Sequence, residues 1–184
     1  MSSELAGRRQ HGDYAYIVIG ALGLAVCVTV LFLATRTLMA AGAGFVASGG
    51  PYEIAHPAPD WIWLVPVSIL SGVAFVGIHW RGAGRLGGFN LLTPMWVLLF
   101  FTIGANFLEF GIRGIRSGGV AWLVCGIVFW GLAAMPLFAP IVPAMKGSWM
   151  SFSASSSGRT YIIANVVAAV VGVGAGWALF TLLS

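Results

Sequence analysis

The sequence predicts an all-α polytopic membrane protein, a single domain built as a bundle of about five transmembrane helices. Of its 184 residues, 59% are hydrophobic and 8% are charged, whereas soluble domains carry about 25% charged residues. The apolar residues form five runs of about 20 residues, the length that a helix needs to cross a bilayer. Strands of a transmembrane β-barrel would be about 10 residues long and would alternate in polarity.

Segments rich in Gly, Pro, Ser or basic residues separate the five predicted helices. Residues 1–13 form a polar N-terminal segment. The apolar run that follows is too long for a signal peptide and ends at no compact cleavage site, so we interpret it as the first membrane helix. Asp60 is expected to cap the second helix, and residues 81–88 to form a basic, Gly-rich turn after it. The predicted helices cover about 14–36, 61–78, 91–113, 120–138 and 161–183.

Prolines at the end of the fourth predicted helix leave one alternative open for that segment. Pro136, Pro140 and Pro143 all interrupt a regular helix. The fourth segment is therefore predicted to span the membrane, with a re-entrant segment as the alternative.

The basic residues predict the orientation of the bundle. Five spans place the two termini on opposite sides of the membrane. A cytoplasmic N-terminus places six basic residues inside and three outside, in agreement with the positive-inside rule. The six are Arg8, Arg9, Arg81, Arg85, Lys146 and Arg159, and the three are Arg36, Arg113 and Arg116. We therefore expect a multi-pass protein of the bacterial inner (cytoplasmic) membrane, with an extracytoplasmic C-terminus and an outer loop at residues 45–60.

One stretch places polar side chains within an apolar run. Asn106, Glu109 and Arg113 are spaced so that they share one face of the third helix. Glu109 has two candidate partners: Arg113 one turn later, and Arg36 at the outer end of the first helix. We name these four residues the polar clasp and expect it to orient helices one and three. The alternative is a transport path lined by Glu109 and Asn106. Because the middle of each helix offers only Ser and Thr as polar residues, a proton pump is not expected.

The outer loop is the second candidate site. Its prolines and its Gly-Gly pair exclude a regular helix. Polar residues on such a stiff exposed segment are candidates for docking a partner, and here they are Tyr52, Glu53, His56 and Asp60. The spacing of His56 from Glu53 and Asp60 matches no known pattern of metal ligands, so no metal site is predicted.

The last helix carries a stripe of small residues, which we name the packing seam. Its members recur every four residues and are Ala164, Ala168, Gly172 and Gly176. Such a stripe allows a second helix to approach closely. The sequence leaves open whether that second helix belongs to this chain or to another, including a second copy in a homo-oligomer.

Other features exclude several classes of site. Cys27 and Cys125 lie in separate apolar runs and fit no metal or redox motif. His11 and His79 are placed at or beyond helix ends on the cytoplasmic side, so bis-histidine haem is unsupported and no cofactor is predicted. Nucleotide-binding motifs are absent from the sequence. The net charge of +4 is small and scattered, unlike the footprint of a nucleic-acid-binding protein.

Three sequence segments resemble a family of bacterial polytopic membrane proteins with no established activity. They are Ser48-Gly-Gly-Pro-Tyr52 with Ile54, Pro57 and Pro59; Asn106-Phe-Leu-Glu109; and Trp122-Leu-Val-Cys125-Gly126. The resemblance runs from the first helix to the fourth. Some members of the family have cysteines flanking the loop, where this chain has Val46 and Ala58, so the resemblance implies that a loop disulfide is lacking here. It also implies that the loop and the helix that carries Glu109 belong to one structural unit.

These observations favour a non-enzymatic role over a catalytic one. The leading hypothesis is an accessory, stabilising or assembly subunit of a larger inner-membrane complex, with the lipid bilayer and other integral membrane subunits as partners. The alternative is a small transporter or channel that uses Glu109 and Asn106. A third hypothesis is a membrane enzyme acting on lipid, with His79 and Arg81 near the headgroups. No catalytic motif supports this third hypothesis.

Overall fold

The residues that the structure describes form helices and no strands, which confirms the predicted fold class. The computed structural model describes residues 2–40, 59–86, 91–117, 119–138, 141–143 and 158–184, with the backbone alone for residues 2–11 and 117. Five helices in these ranges are long and apolar enough to cross a membrane. They are α1 (Ser2–Ala40), α2 (Leu64–Leu86), α3 (Leu92–Arg113), α4 (Val120–Phe138) and α5 (Arg159–Leu183).

Helix α1 begins earlier than the sequence predicts. It starts at Ser2 and not near Tyr14, and it ends at Ala40. Residues 2–13 include Glu, Leu, Ala, Arg and Gln, all of which favour helices, so the helix continues without a break. A helix of 39 residues is about 58 Å long, roughly twice the thickness of the hydrocarbon core of a bilayer.

The predicted end of the second helix near residue 78 is wrong. Helix α2 continues to Leu86 through the segment predicted as a turn. A Cβ atom on Gly82 would lie only 2.6 Å from the Asp13 carbonyl oxygen. Gly82 therefore allows the backbones of α1 and α2 to approach each other, and it does not end the helix.

The predicted cap at Asp60 is also wrong. Asp60 is the first residue of a 3₁₀ turn, Asp60–Trp63, which leads directly into α2 and has Pro59 at its N-cap position. Pro66 lies in the first turn of α2, where a missing N–H group breaks no helical hydrogen bond.

Helix α1 is the centre of the bundle. In the most apolar 18-residue stretch of α1, 56% is buried inside the protein. The corresponding stretches of the other four helices are 17–22% buried. Helices α2 and α5 pack extensively on α1, and α3 contacts it along a narrower strip. Helix α4 packs mainly on α3. The bundle thus consists of a three-helix unit, α1–α2–α5, and a hairpin, α3–α4, attached to it.

We name the two ends of the bundle after residues of α1: the Asp13 end and the Arg36 end. Apolar clusters fill the space between them. One cluster, in the half nearer Asp13, joins α1, α2, α5 and the N-cap of α3 through Ala21, Leu24, Val76, Leu91 and Ala168. A second, toward Arg36, joins the three-helix unit through Val30, Leu33, Ala34, Leu64 and Phe180.

The packing seam of α5 faces α1 of the same chain. A Cβ atom on Gly172 would lie 2.5 Å from the Leu22 carbonyl oxygen, and one on Gly176 would lie 2.8 Å from that of Val26. Ala168 is buried with them, and Ala164 is half-buried. The question that the sequence left open is therefore answered in favour of a contact within the chain.

The α3–α4 hairpin is held by close glycine contacts and by aromatic side chains. Trp96 donates its indole N–H to the Leu132 carbonyl at 2.8 Å, and Trp130 stacks on Phe101 with 5.1 Å between ring centroids. A Cβ atom on Gly111 would lie 2.6 Å from the backbone nitrogen of Leu123. These contacts fix α4 to α3 along most of its length.

The close approach of α5 to α1 predicts opposite effects for two glycines of α5. In Gly172→Ala the new methyl group meets a backbone oxygen, so the helices must separate, at a cost of about 1–3 kcal/mol. In the control Gly174→Ala the methyl group enters open space, and the better helix propensity of Ala leaves stability unchanged or slightly raised. Thermal unfolding in a mild detergent measures both. Equal melting temperatures for the two variants would contradict the α1–α5 contact.

Candidate functional site

The polar clasp is assembled at the Arg36 end of the bundle. Arg36 of α1 donates from Nη1 to Glu109 Oε2 and from Nη2 to Oε1, the latter at 2.9 Å. Arg113 Nη2 lies 2.7 Å from the same Oε1 atom. Glu109 on α3 is therefore held by two guanidinium groups, one from its own helix and one from α1. The bidentate contact with Arg36 fixes the orientation of the carboxylate as well as its charge.

Asn106 completes the clasp one turn below Glu109. Its amide Nδ2 donates to Thr35 Oγ1 at 2.9 Å and to the Phe32 carbonyl at 3.2 Å. The Thr35 hydroxyl donates in turn to the Leu31 carbonyl at 2.9 Å. Asn106 is 1% exposed, and its Oδ1 atom has no hydrogen-bond partner among the described residues. Asn106 therefore joins α3 to α1 through its amide donors alone.

The four residues that the sequence singled out as a clasp thus lie together across the α1–α3 contact. Their charges do not cancel, because two arginines and one glutamate leave a net charge of +1. The side chain of Arg113 is 68% exposed, against 38% for Arg36 and 28% for Glu109. The pair between α1 and α3 is therefore the more protected of the two ion pairs, and surface pairs of the Arg113 kind contribute little to stability.

The proposed docking residues of the outer loop fall mostly outside the described residues. Tyr52, Glu53 and His56 belong to this group, as do the positions of the resemblance at Val46 and Ala58. Asp60 is described and is exposed at the Arg36 end.

The structure contains a second polar cluster, near the Asp13 end, that the sequence did not predict. His79 of α2 is fully buried, and its Nε2 atom lies 2.9 Å from Asn165 Oδ1 of α5. The Tyr161 hydroxyl lies 3.3 Å from the same nitrogen, and Asn165 Nδ2 donates to the Tyr161 carbonyl at 2.9 Å. A Cβ atom on Gly20 would lie 2.5 Å from His79 Cβ, so α1 closes the third side of the cluster.

An ion pair lies next to this cluster at the Asp13 end. Arg85 of α2 donates to Asp13 Oδ1 of α1 at 3.0 Å. The Asp13 side chain is 11% exposed and that of Arg85 is 59% exposed. One turn before Arg85, the Arg81 guanidinium lies over the Tyr16 ring, 5.2 Å from its centroid. Both contacts join α1 to the part of α2 that the sequence predicted as a turn.

The spacing of buried residues contains the signal that would have found this cluster. On α2, Gly72, Val76, His79 and Ala83 follow each other at intervals of three or four and are all buried. On α5, the packing seam continues back through Asn165 and Tyr161 at the same helical spacing. Extending each stripe by one or two turns places His79 and Asn165 on inward faces. The glycines after His79 are equally typical of a turn, and this pattern hides the continuation of α2.

In both clusters the polar side chains of one helix bond to those of another. Within the described ranges, no three His, Cys, Asp or Glu side chains come close enough to hold a metal ion. Cys27 is buried and Cys125 is exposed on α4, and both are free cysteines. Comparisons with protein-family models, with curated proteins and with solved structures find no match to this chain. The resemblance noted from the sequence therefore stays a prediction.

The geometry of the clasp predicts that Arg36 and Glu109 stabilise the fold jointly and not independently. Removing either charge leaves the other without its main partner, so Arg36→Gln and Glu109→Gln should each lower the melting temperature. The double variant should lose clearly less than the two single losses together, because the second substitution finds the Arg36–Glu109 pair already broken. The control is Arg113→Gln, whose exposed side chain should matter less than Arg36. Additive losses would show that the two side chains do not interact.

Proposed function

We propose that the protein is a non-enzymatic accessory, stabilising or assembly subunit of a larger complex in the bacterial inner membrane. The observation that carries the proposal is the position of α4. This helix packs mainly on α3, and its other faces expose large apolar side chains at membrane depth. These include Val124, Ile127, Val128 and Leu137. Helix α5 also exposes apolar side chains, but it packs extensively on the central helix α1, whereas α4 lies at the periphery of the bundle on α3. The apolar face of this peripheral helix suits docking against another integral membrane subunit.

The use of the polar groups supports the same role. Glu109 and Arg36 bond to each other, as do Asp13 and Arg85, and His79 bonds to Asn165 across the α2–α5 contact. Each pair joins two helices of the bundle. The chain thus builds a stable apolar body from few polar contacts and leaves its outer surface for lipids and neighbouring subunits.

The separation of the two polar clusters weighs against the transporter alternative. From Gly20, beside His79, to Thr35, beside Asn106, α1 rises about 22 Å. Between these levels the described spans contain no Asp, Glu, Lys, Arg or His, and an apolar cluster that includes Leu24 and Val76 fills the junction of the helices. A path for ions or protons through the bundle would need polar groups in this layer.

The burial of His79 weighs against the lipid-acting enzyme. That hypothesis placed His79 and Arg81 together near the lipid headgroups. Arg81 is exposed, but His79 is enclosed by α1, α2 and α5. The two side chains therefore do not face a common substrate.

The proposed orientation follows the distribution of basic residues. We place the N-terminus in the cytoplasm and the C-terminus outside, so that the Asp13 end is cytoplasmic and the Arg36 end extracytoplasmic. The proposed partners are the bilayer and other integral membrane subunits, with a second copy of the chain as one form of such a partner and with no nucleic acid.

Extraction from native membranes with a gentle detergent tests the subunit hypothesis. We expect defined membrane proteins to co-purify with the chain and to be identified by mass spectrometry. Val128→Trp on the exposed face of α4 should reduce their yield severalfold. The control, Val171→Trp on α5, replaces a valine of nearly equal exposure, 54% against 55%, and should leave the yield unchanged. A chain that runs alone at its monomer mass, or equal yields from both variants, would contradict the proposal.

A further inference from the structure

A cleft lies between α1, α2 and α3 within the membrane-spanning part of the bundle. Helices α2 and α3 hardly touch each other, so they diverge on either side of α1. The cleft encloses about 320 Å³ of space, counting its open mouth. Its walls include Leu24 and Leu31 of α1, Gly72 of α2, and Met95 and Leu99 of α3. It faces the bilayer, since the lining residues Ile69 and Val73 of α2 are exposed.

We propose that this cleft holds one acyl chain of an anionic phospholipid, whose phosphate binds the arginines of the polar clasp. This inference is independent of the proposed subunit role.

The lining of the cleft favours an acyl chain as its occupant. The walls named above are apolar, and the mouth of the cleft opens toward the bilayer. A flexible acyl chain is the apolar group that the bilayer itself supplies at such a mouth.

The length of the site agrees with one leaflet of the membrane. The walls of the cleft reach from Leu24 to Leu31 of α1. Arg36 lies further along α1, where α1 contacts α3 through the clasp. The rise from Leu24 to Arg36 is about 18 Å along the helix. One leaflet of the hydrocarbon core is about 15 Å thick. A lipid whose phosphate lies at the level of Arg36 therefore places its acyl chain alongside the whole cleft.

The charge of the clasp selects an anionic headgroup. Arg36, Glu109 and Arg113 carry a net charge of +1, and Arg116 adds an exposed positive charge one turn beyond. A guanidinium group has five N–H donors, of which Arg36 uses two on Glu109 and Arg113 uses one. Within the described ranges no other group accepts from the remaining donors, which can therefore bind phosphate oxygens.

Two glycines of α2 allow a matched test of the cleft. A Cβ atom on Gly72 would make only ordinary contacts, at 3.7 Å from Cys27 Cβ and Leu24 Cδ1, so the Leu side chain of Gly72→Leu extends into the cleft. Gly77 is exposed with nothing within 4 Å, and Gly77→Leu leaves the cleft open. The full chain is reconstituted in nanodiscs of equal parts phosphatidylglycerol and phosphatidylcholine with palmitoyl and oleoyl chains. Lipid retained after release from the discs is then measured by native mass spectrometry.

We expect the unsubstituted protein and Gly77→Leu to retain one phosphatidylglycerol, and Gly72→Leu to retain severalfold less. Arg113→Gln should reduce the preference for phosphatidylglycerol over phosphatidylcholine without abolishing lipid retention. Equal retention by the two leucine variants would overturn the site. Equal retention of the two lipids by the unsubstituted protein would overturn the role of the arginines.

A second measurement needs no substitution and therefore decides the matter if Gly72→Leu fails to fold. Phosphatidylglycerol with a photoactivatable diazirine in its acyl chain is crosslinked to the unsubstituted protein. Peptide mass spectrometry should find the adducts concentrated on residues of the cleft such as Val28 and Met95. Adducts spread evenly over the exposed faces of α4 and α5 would show ordinary surrounding lipid and overturn the proposal.

Discussion

A carboxylate in a membrane-spanning helix needs a counter-charge from the protein itself. This requirement determines how the α3–α4 hairpin joins the three-helix unit. Glu109 lies on α3, and its bidentate partner Arg36 lies on α1. Asn106 adds two hydrogen bonds to the same strip of α1. The position of α4 depends on that of α3, because glycine and aromatic contacts fix the hairpin. The polar clasp therefore sets the position of two helices and not of one.

The three-helix unit is built on a different principle. Helices α2 and α5 approach α1 at glycines, where backbone oxygens take the place that a side chain would occupy. Such contacts suit a bilayer, since close packing and not the hydrophobic effect drives helix association there. The buried cluster of His79, Asn165 and Tyr161 then adds directional bonds between α2 and α5. The resulting bundle is polar near both ends and apolar between them, which fits a structural subunit better than a transport path.

The sequence predicts the fold class and most helix ends because both depend on local composition. Helices α3, α4 and α5 begin and end within two residues of their predicted bounds. The sequence also predicts the clasp, because a lone acid within an apolar run has few candidate partners. It does not predict the other long-range contacts. Glycine is common both at turns and at close helix contacts, so Gly82 gave no sign that α2 continues. Whether the packing seam faces α1 or another chain depends on the arrangement of all five helices, and no single stripe contains that information.

The central claim is that the clasp holds the α3–α4 hairpin against the three-helix unit. Distances between spin labels in a bilayer test it most directly. Labels at Gly131→Cys on α4 and Gly174→Cys on α5 occupy open space, in a background where Cys27 and Cys125 are replaced by Ala. Pulsed electron–electron double resonance should give a narrow distance distribution for the intact clasp and a broad or shifted one with Glu109→Gln. Identical distributions with and without the Glu109 carboxylate would contradict the account.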